Sequence, residues 1–189
     1  ASFIVILGMS ITVSYYYLGL KEFDSLLDER SRGSVTLQNN AGEFFAWRGD
    51  NFSENLTANN ISPHLKNAVL ATEDRRFYAH FGISPRGIAS AVYINLKEGR
   101  GPLSGHGGST ITQQTAKLVC LGKTFRQSEW ESEKAYEASC RKSTVWRKLK
   151  EALYALSLEL KFSKDEILTI YINRVFLGAG TRGFEAAAQ

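Results

Sequence analysis

The amino-acid sequence predicts a mainly α-helical domain that follows a short β-hairpin and an N-terminal transmembrane anchor. Apolar residues recur at helical spacing through most of residues 61–189, and Ser-Pro pairs and a capping box mark several helix starts. The first side chain that is charged at neutral pH is that of Lys21, so the segment before it is uncharged. With 189 residues, of which 43% are hydrophobic, the chain can build a core of its own. Its formal net charge of +4 favours an anionic partner, without distinguishing nucleic acid, phospholipid and a phosphorylated substrate.

Residues 1–20, ASFIVILGMSITVSYYYLGL, are predicted to be the membrane anchor. This segment has about the length of roughly 20 apolar residues that a helix needs to cross a bilayer core. Three consecutive tyrosines, residues 15–17, are typical of the interface between lipid and water. A cleaved signal peptide is the alternative, but no small-residue cleavage pattern follows the segment. We therefore expect a single-pass protein.

Residues 21–60 are predicted to be a juxtamembrane linker that contains a β-hairpin over residues 33–48. Apolar and polar residues alternate before Asn39, the segment 39–42 has the composition of a turn, and aromatic residues follow it.

Five helices are predicted after this linker. The first two begin at Ser62-Pro63 and Ser84-Pro85, where the serine can cap the helix and the proline suits the first helical position. The third runs over about 109–121 and the fourth over about 144–161. The fifth begins at a capping box of Ser163 and Glu166 and runs to about residue 177. Another helix begins near the last residues, so we expect the domain to continue beyond residue 189.

Two connections between these helices are unusual. Residues 97–108 contain five glycines and a proline and are predicted to be a mobile flap. Residues 122–143 are polar and are predicted to be irregular. The only two cysteines, Cys120 and Cys140, lie near the ends of that second connection. A disulfide is permitted outside the cytoplasm, two buried thiols are the alternative, and the sequence leaves both open.

The third helix begins with polar chemistry. At 100° per residue, Thr110, Gln114 and Lys117 share one face, directly after a glycine-rich segment. Backbone N–H groups at a helix start and a lysine side chain are both suited to phosphate, so this face is a candidate anion site. A solvated helix surface is the alternative.

The fourth helix is predicted to bury one apolar stripe, which comprises Leu149, Ala152, Leu153, Leu156 and Leu160. Arg147 and Glu151 lie four residues apart and off that stripe, so an ion pair is the simplest interpretation.

Earlier in the chain, Glu73 and Asp74 are adjacent and point about 100° apart on a helix, so they cannot face each other. The sequence contains no metal-ligand cluster, no phosphate-binding loop of the GxxxxGK type and no serine-nucleophile motif.

Five stretches, in order, resemble the signatures of glycosyltransferase family 51, the peptidoglycan polymerases of penicillin-binding proteins and monofunctional transglycosylases. They are EDRRFYAHFG, GGSTITQQTAK, RKLKEA, KDEILTIYINRVFLG and GAGTRGFEAAAQ. The resemblance covers about residues 60–189 and implies that residues 61–189 are a peptidoglycan glycosyltransferase domain. It also implies a lysozyme-like, two-lobed helical fold with a flexible flap and a membrane-associated jaw. The connection over residues 122–143 is longer than the family usually has.

The resemblance implies a reaction, a location and partners. Such enzymes join the disaccharides of lipid II into glycan strands with inversion and release undecaprenyl pyrophosphate. The domain would lie on the outer, periplasmic side of the bacterial inner membrane, where lipid II, the growing lipid-linked strand and the cell-wall synthesis machinery are its partners. Nucleic acid is not expected, because no recognition element is visible. No cofactor is required by the sequence, although Mg²⁺ or Mn²⁺ is compatible with a pyrophosphate substrate.

The resemblance also assigns roles to residues. Glu73 matches the general base and Glu151 the second essential glutamate, which would orient basic groups or a metal-bound phosphate. Lys117 and Arg147 match the contacts to pyrophosphate. The implied substrate-binding set is Asp74, Phe77, His80, Ser109, Thr110, Gln113, Gln114, Lys117, Arg147 and Lys148. Two alternatives use the same scaffold: a lytic transglycosylase or hydrolase with Glu73 as acid, and a non-catalytic glycan-binding module.

Overall fold

The computed structural model describes residues 2–27, 35–48, 56–102, 104–105, 107–142, 144–178 and 181–188. Most of these residues are helical, as predicted. The helices are α1 (Ser2–Gly19), α2 (Phe23–Leu27), α3 (Pro63–Glu73), α4 (Pro85–Lys97), α5 (Ile111–Leu118), α6 (Glu133–Arg141), α7 (Val145–Lys161), α8 (Lys164–Arg174) and α9 (Phe184–Ala188). Two antiparallel hairpins pair β1 (Val35–Gln38) with β2 (Phe44–Arg48), and β3 (Phe176–Gly178) with β4 (Thr181–Arg182).

The predicted helix starts lie where the sequence places them, and hydroxyl side chains cap several of them locally. Ser84 accepts the Gly87 N–H at 3.1 Å at the start of α4. Ser163 and Glu166 form the predicted capping box of α8. Ser62 precedes α3 as predicted, with proline at the first helical position, but its side chain makes no cap hydrogen bond.

The core lies between α5, α7 and α8. The apolar face of α5 inserts between the other two helices, and α8 is buried along most of its length. Because a fully buried apolar side chain contributes about 1.5–3 kcal/mol, this packing fixes the orientation of the polar residues of α5. Fully buried apolar residues of the three helices are Ile111, Ala116, Ala155, Leu158, Ile167, Leu168, Ile170 and Ile172.

The buried face of α7 differs from the predicted stripe. Leu149 and Leu160, predicted to be in the core, are exposed, whereas Tyr154, Ala155 and Leu158 are buried. The reason is that α7 has apolar residues around most of its circumference, and its neighbours decide which of them are covered. One neighbour is α1, whose backbone accepts a hydrogen bond from the Ser157 hydroxyl at 3.0 Å.

The uncharged N-terminal segment forms helix α1. Its first two turns expose large apolar side chains, among them Phe3, Ile4 and Ile6, while its end packs against α7 through the ring of Tyr16. Within the described part of the chain, no helix combines the length and the apolar character needed to cross a membrane. The predicted anchor is therefore a helix that is not shown to be a span.

The N-terminal hairpin is confirmed where it is described. The side-chain oxygen of Asn39 accepts the N–H groups of Ala41 and Glu43, both at 2.9 Å, which closes the turn. The prediction starts this hairpin at residues 33–34, which lie outside the described residues. Residues 103 and 106 of the predicted flap also lie outside them, and the mobility of the flap stays a prediction.

The connection over residues 122–143 is not irregular throughout, because α6 forms within it. Ser132 caps this helix by accepting the Ala135 N–H at 3.2 Å, a signal that the sequence contains and that the prediction overlooked. Cys120 and Cys140 form a disulfide with a Cα–Cα distance of 5.2 Å. The fifth predicted helix, α8, ends at residue 174 rather than near 177, because the chain turns there into the hairpin of β3 and β4.

Candidate active site

Asp74 fixes the start of α5. Its carboxylate accepts the Ile111 N–H at 3.1 Å and lies 2.8 Å from Nε2 of His80. A carboxylate at a helix N-terminus is stabilised by the helix dipole, so this contact holds α5 against the end of α3. The Asp74 carboxylate and the His80 ring are therefore engaged in positioning the site.

Phe77, predicted to contact substrate, is only 1% exposed, and the Lys164 ammonium lies 4.5 Å from its ring centroid. Its burial indicates a packing role rather than substrate contact.

Glu73 lies at the exposed end of α3, beside α5. The Gln114 amide donates a hydrogen bond to its carboxylate at 2.8 Å. Glu73 also lines a cavity of about 580 Å³, together with Ser109, Thr110 and three arginines, Arg75, Arg76 and Arg86. The arrangement gives an accessible carboxylate, held by one side-chain amide, at the edge of a basic cavity.

Tyr171 of α8 is buried and lies close enough to Glu73 to be affected by its charge. Burial raises the pKa of the Tyr171 phenol, and the Glu73 carboxylate raises it further. The phenol therefore stays neutral at physiological pH and does not compete with Glu73 as a base.

Lys117 lies about one turn beyond Gln114 on α5, in a second cavity of about 300 Å³. Burial lowers the pKa of its ammonium, Glu151 opposes this effect, and Lys148, Arg147 and Arg141 add to it. The ammonium makes no hydrogen bond or ion pair with any other residue that the structure describes. A half-buried, unpaired cation among other cations is costly in the absence of an anion and favours binding one.

Three further basic residues line the Lys117 cavity: Arg141, Arg174 and Arg182. Sequence reasoning did not name them as site residues, although Arg174 and Arg182 lie within the stretches that carry the family resemblance. They come from the ends of α6, α8 and β4, all of which are more than 20 residues from Lys117 in sequence. Only the folded chain brings them to Lys117.

Glu151 is the centre of a cluster of charged side chains that includes Arg147 and Lys148. It is 1% exposed and accepts hydrogen bonds from Arg147 at 2.5 Å and from Lys148 at 2.7 Å. Lys148 also donates to the Ser109 hydroxyl at 2.8 Å, which connects α7 to the segment before α5. The predicted ion pair of Arg147 and Glu151 is thus present, but its carboxylate is buried rather than on a solvated face. Arg147 points to Glu151 and not into the cavity of Lys117.

The predicted polar face of α5 is partly used to build the helix. Thr110 and Gln113 form a capping box and are buried, and the Thr110 hydroxyl donates to the Gly82 carbonyl at 2.6 Å. Of the predicted face, Gln114 and Lys117 remain accessible. The sequence did not distinguish these roles because a cap and a ligand contact use the same side-chain types.

The structure also bears on metal binding. Among the described residues, no three His, Cys, Asp or Glu side chains are grouped closely enough to hold a metal ion.

Comparison with known proteins agrees with this arrangement. The model of the transglycosylase family matches residues 41–189. Penicillin-binding protein 1A of Aquifex aeolicus is 41% identical over 134 residues, which cover 71% of this chain and 16% of that protein. Penicillin-binding protein 1A of Neisseria cinerea is 36% identical over 181 residues, covering 96% of this chain and 20% of that protein.

A penicillin-binding protein 1B, from Vibrio cholerae, is 36% identical over 160 residues, covering 85% of this chain and 18% of that protein. The chain thus spans a fifth or less of the length of these relatives. The matched region contains both glutamates, α5 with Lys117, and the arginines of the second cavity. The chain belongs to the transglycosylase family, glycosyltransferase family 51, the peptidoglycan glycosyltransferase domain of class A penicillin-binding proteins.

Proposed function

We propose that this domain polymerises lipid II into glycan strands by inverting transfer and releases undecaprenyl pyrophosphate, in bacterial cell-wall synthesis. The observation that carries the proposal is the unpaired, half-buried ammonium of Lys117 in a cavity with three arginines. A pyrophosphate leaving group supplies the negative charge that this cavity favours. A hydrolase acting on finished glycan has no such group to bind.

Glu73 is proposed as the general base. It accepts the proton of the 4-hydroxyl of the acceptor sugar, and that oxygen forms a bond to the anomeric carbon of the donor. The bond from the anomeric carbon to the pyrophosphate oxygen breaks on the opposite face, so the configuration inverts. The hydrogen bond from Gln114 leaves one carboxylate oxygen of Glu73 for this proton, and a base must be held within hydrogen-bond reach of the group it deprotonates.

The two cavities suggest where the two substrates bind. Glu73 lines the larger cavity, and Gln114, which holds Glu73, lines the smaller one. We assign the acceptor to the larger cavity and the pyrophosphate of the donor to the smaller one. Lys117 then stabilises the charge that develops as the pyrophosphate leaves, and a preorganised cation of this kind is often the largest contribution to a rate.

Glu151 is proposed to orient the basic residues around the site. Its two oxygens fix Arg147 and Lys148, and Lys148 fixes Ser109 at the rim of the larger cavity. A divalent cation such as Mg²⁺ or Mn²⁺ would enter with the substrate, because pyrophosphate oxygens are hard ligands. The protein itself then needs no resident cofactor.

Location and partners follow from the same reaction. Lipid II and the growing strand are both attached to polyprenyl chains, so the site must work at a membrane surface. The apolar side chains that α1 exposes, among them Phe3 and Ile4, support a membrane anchor, with the domain on the periplasmic side of the inner membrane. The cell-wall synthesis machinery is the expected protein partner.

The test is polymerisation of purified lipid II by the detergent-solubilised chain and by its Glu73→Gln variant. Glu129→Gln is the control, because it removes an exposed carboxylate that only pairs with Arg126. We expect strands from the wild type and the control, and a loss of at least about a hundredfold for Glu73→Gln, the scale of a general base. Equal activity of the Glu73 variant and the wild type would contradict the assignment of the base.

A further inference from the structure

The disulfide between Cys120 and Cys140 closes a segment whose ends are 20 residues apart in sequence. We call residues 120–141 the tied segment. Its first cysteine lies two residues after the end of α5, the helix of Lys117, and its second lies in the last turn of α6. The bond therefore joins the ends of α5 and α6, so that α6 cannot move far from Lys117.

The tied segment has a small aromatic cluster of its own. Tyr136 is buried, and the rings of Phe125 and Trp130 lie 5.7 Å from its ring. The Tyr136 hydroxyl also donates to the Lys123 carbonyl at 2.6 Å. These contacts are internal to the segment. They shape it, but they do not attach it to the rest of the domain.

Other contacts of α6 attach the segment to the domain. They include the disulfide and an ion pair between Glu137 of α6 and Arg182 of β4. Glu137 also accepts a hydrogen bond from Arg141 at 3.1 Å, one turn further along α6. The same helix face that is attached to the domain thus carries Arg141.

Arg141 is the basic residue that the tied segment contributes to the Lys117 cavity. It lines this cavity, and its guanidinium lies 5.4 Å from the ring centroid of Phe176 on β3. Its charge is close enough to lower the pKa of Lys117. Because a guanidinium can form two parallel hydrogen bonds to a phosphate, Arg141 is suited to bind an anion that Lys117 also contacts.

We propose that Arg141 is a further binding residue for the phosphate-bearing leaving group and that the Cys120–Cys140 disulfide holds it in place. The proposal rests on the proposed function, since it names the residue and the bond that complete the leaving-group cavity. A dithiol reductant would transfer two electrons and two protons to the bridge, which gives two cysteine thiols while the dithiol closes to its own disulfide. Without the bridge, the ion pair of Glu137 with Arg182 and the contact of Arg141 with Phe176 would hold α6 less firmly, so Arg141 would lie beside Lys117 for a smaller part of the time.

The test compares KM and kcat for lipid II in four forms of the detergent-solubilised chain: wild type, Arg141→Gln, Arg126→Gln, and Cys120→Ser with Cys140→Ser. Arg126 is the matched control, because it belongs to the same segment, is exposed, and pairs only with Glu129 on the surface. We expect KM for Arg141→Gln to rise about tenfold, the effect of losing one hydrogen bond to a charged group, and kcat to change less than about threefold. Arg126→Gln should match the wild type.

Reduction provides the second arm of the test. Dithiothreitol should raise KM of the wild type to the level of the double cysteine variant and should leave that variant unchanged. Far-UV circular dichroism of each form separates a local release of α6 from unfolding. Unchanged KM in both Arg141→Gln and the reduced wild type, with lipid II still polymerised, would overturn the inference alone. A wild type that does not polymerise lipid II would overturn the proposed function instead.

Discussion

The buried carboxylate of Glu151 allows a quantitative prediction. Replacing Glu151 by glutamine keeps the shape of the side chain and removes its charge, which leaves Arg147 and Lys148 facing an amide. The Arg147 side chain is 13% exposed and the Lys148 side chain 44% exposed, so only Lys148 can turn to water at little cost. Breaking a buried ion pair costs about 3–5 kcal/mol and an exposed one about 0–1 kcal/mol. We therefore expect a loss of about 3 kcal/mol, nearly all from Arg147.

Thermal unfolding followed by far-UV circular dichroism measures this loss. In a domain of this size, 1 kcal/mol corresponds to about 2–4 °C, so the Glu151→Gln variant should melt about 6–12 °C below the wild type. Glu129→Gln is the control, because its partner Arg126 is exposed, and its melting temperature should shift by less than about 2 °C. A Glu151→Gln variant that melts with this control would refute the conclusion that the cluster is structurally buried and coupled.

Three further predictions test other contacts. Burial lowers the pKa of Lys117, so its charge destabilises the folded protein at pH values below its usual pKa of 10.5. The Lys117→Met variant should therefore melt above the wild type at neutral pH, while losing polymerisation. The difference in stability between the two proteins should shrink as the pH rises towards 10.5. A Cβ on Gly108 would lie 2.6 Å from the backbone of α4, so Gly108→Ala should lose about 1–3 kcal/mol in urea unfolding, whereas Gly107→Ala, with open space around it, should not. The hydrogen bond from Tyr78 lowers the pKa of Asp165 below 3.8. The Asp165→Asn variant should therefore lose about 1 kcal/mol of unfolding free energy at neutral pH. Its difference from the wild type should vanish in strong acid, where the wild-type carboxyl is protonated and carries no charge.

The sequence predicted those parts of the fold whose causes are local. Ser84 and Ser163 start their helices because each hydroxyl accepts an N–H three residues later, an interaction that needs nothing from the rest of the chain. The turn at Asn39 is local in the same way. The buried face of α7 was predicted wrongly at Leu149 and Leu160, because the choice among several apolar faces depends on where α1 and α5 pack.

The same distinction between local and long-range causes applies to the candidate site. The family resemblance indicated Glu73 and Lys117, but not that Gln114 holds Glu73 from 41 residues away. Arg182 was missed, because nothing in its local sequence shows that β4 returns to the end of α5. The pairing of Cys120 with Cys140 was left open, since spacing permits a disulfide without requiring it.

The most direct test of the central claim is a choice of substrates. The detergent-solubilised chain is incubated in parallel with lipid II and with finished, lipid-free peptidoglycan, and the products of each are separated by size. A leaving-group cavity built around Lys117 predicts glycan strands and free undecaprenyl pyrophosphate from lipid II, and no soluble fragments from the finished polymer. Soluble fragments from the polymer together with unchanged lipid II would contradict the account and identify a hydrolase or lytic transglycosylase.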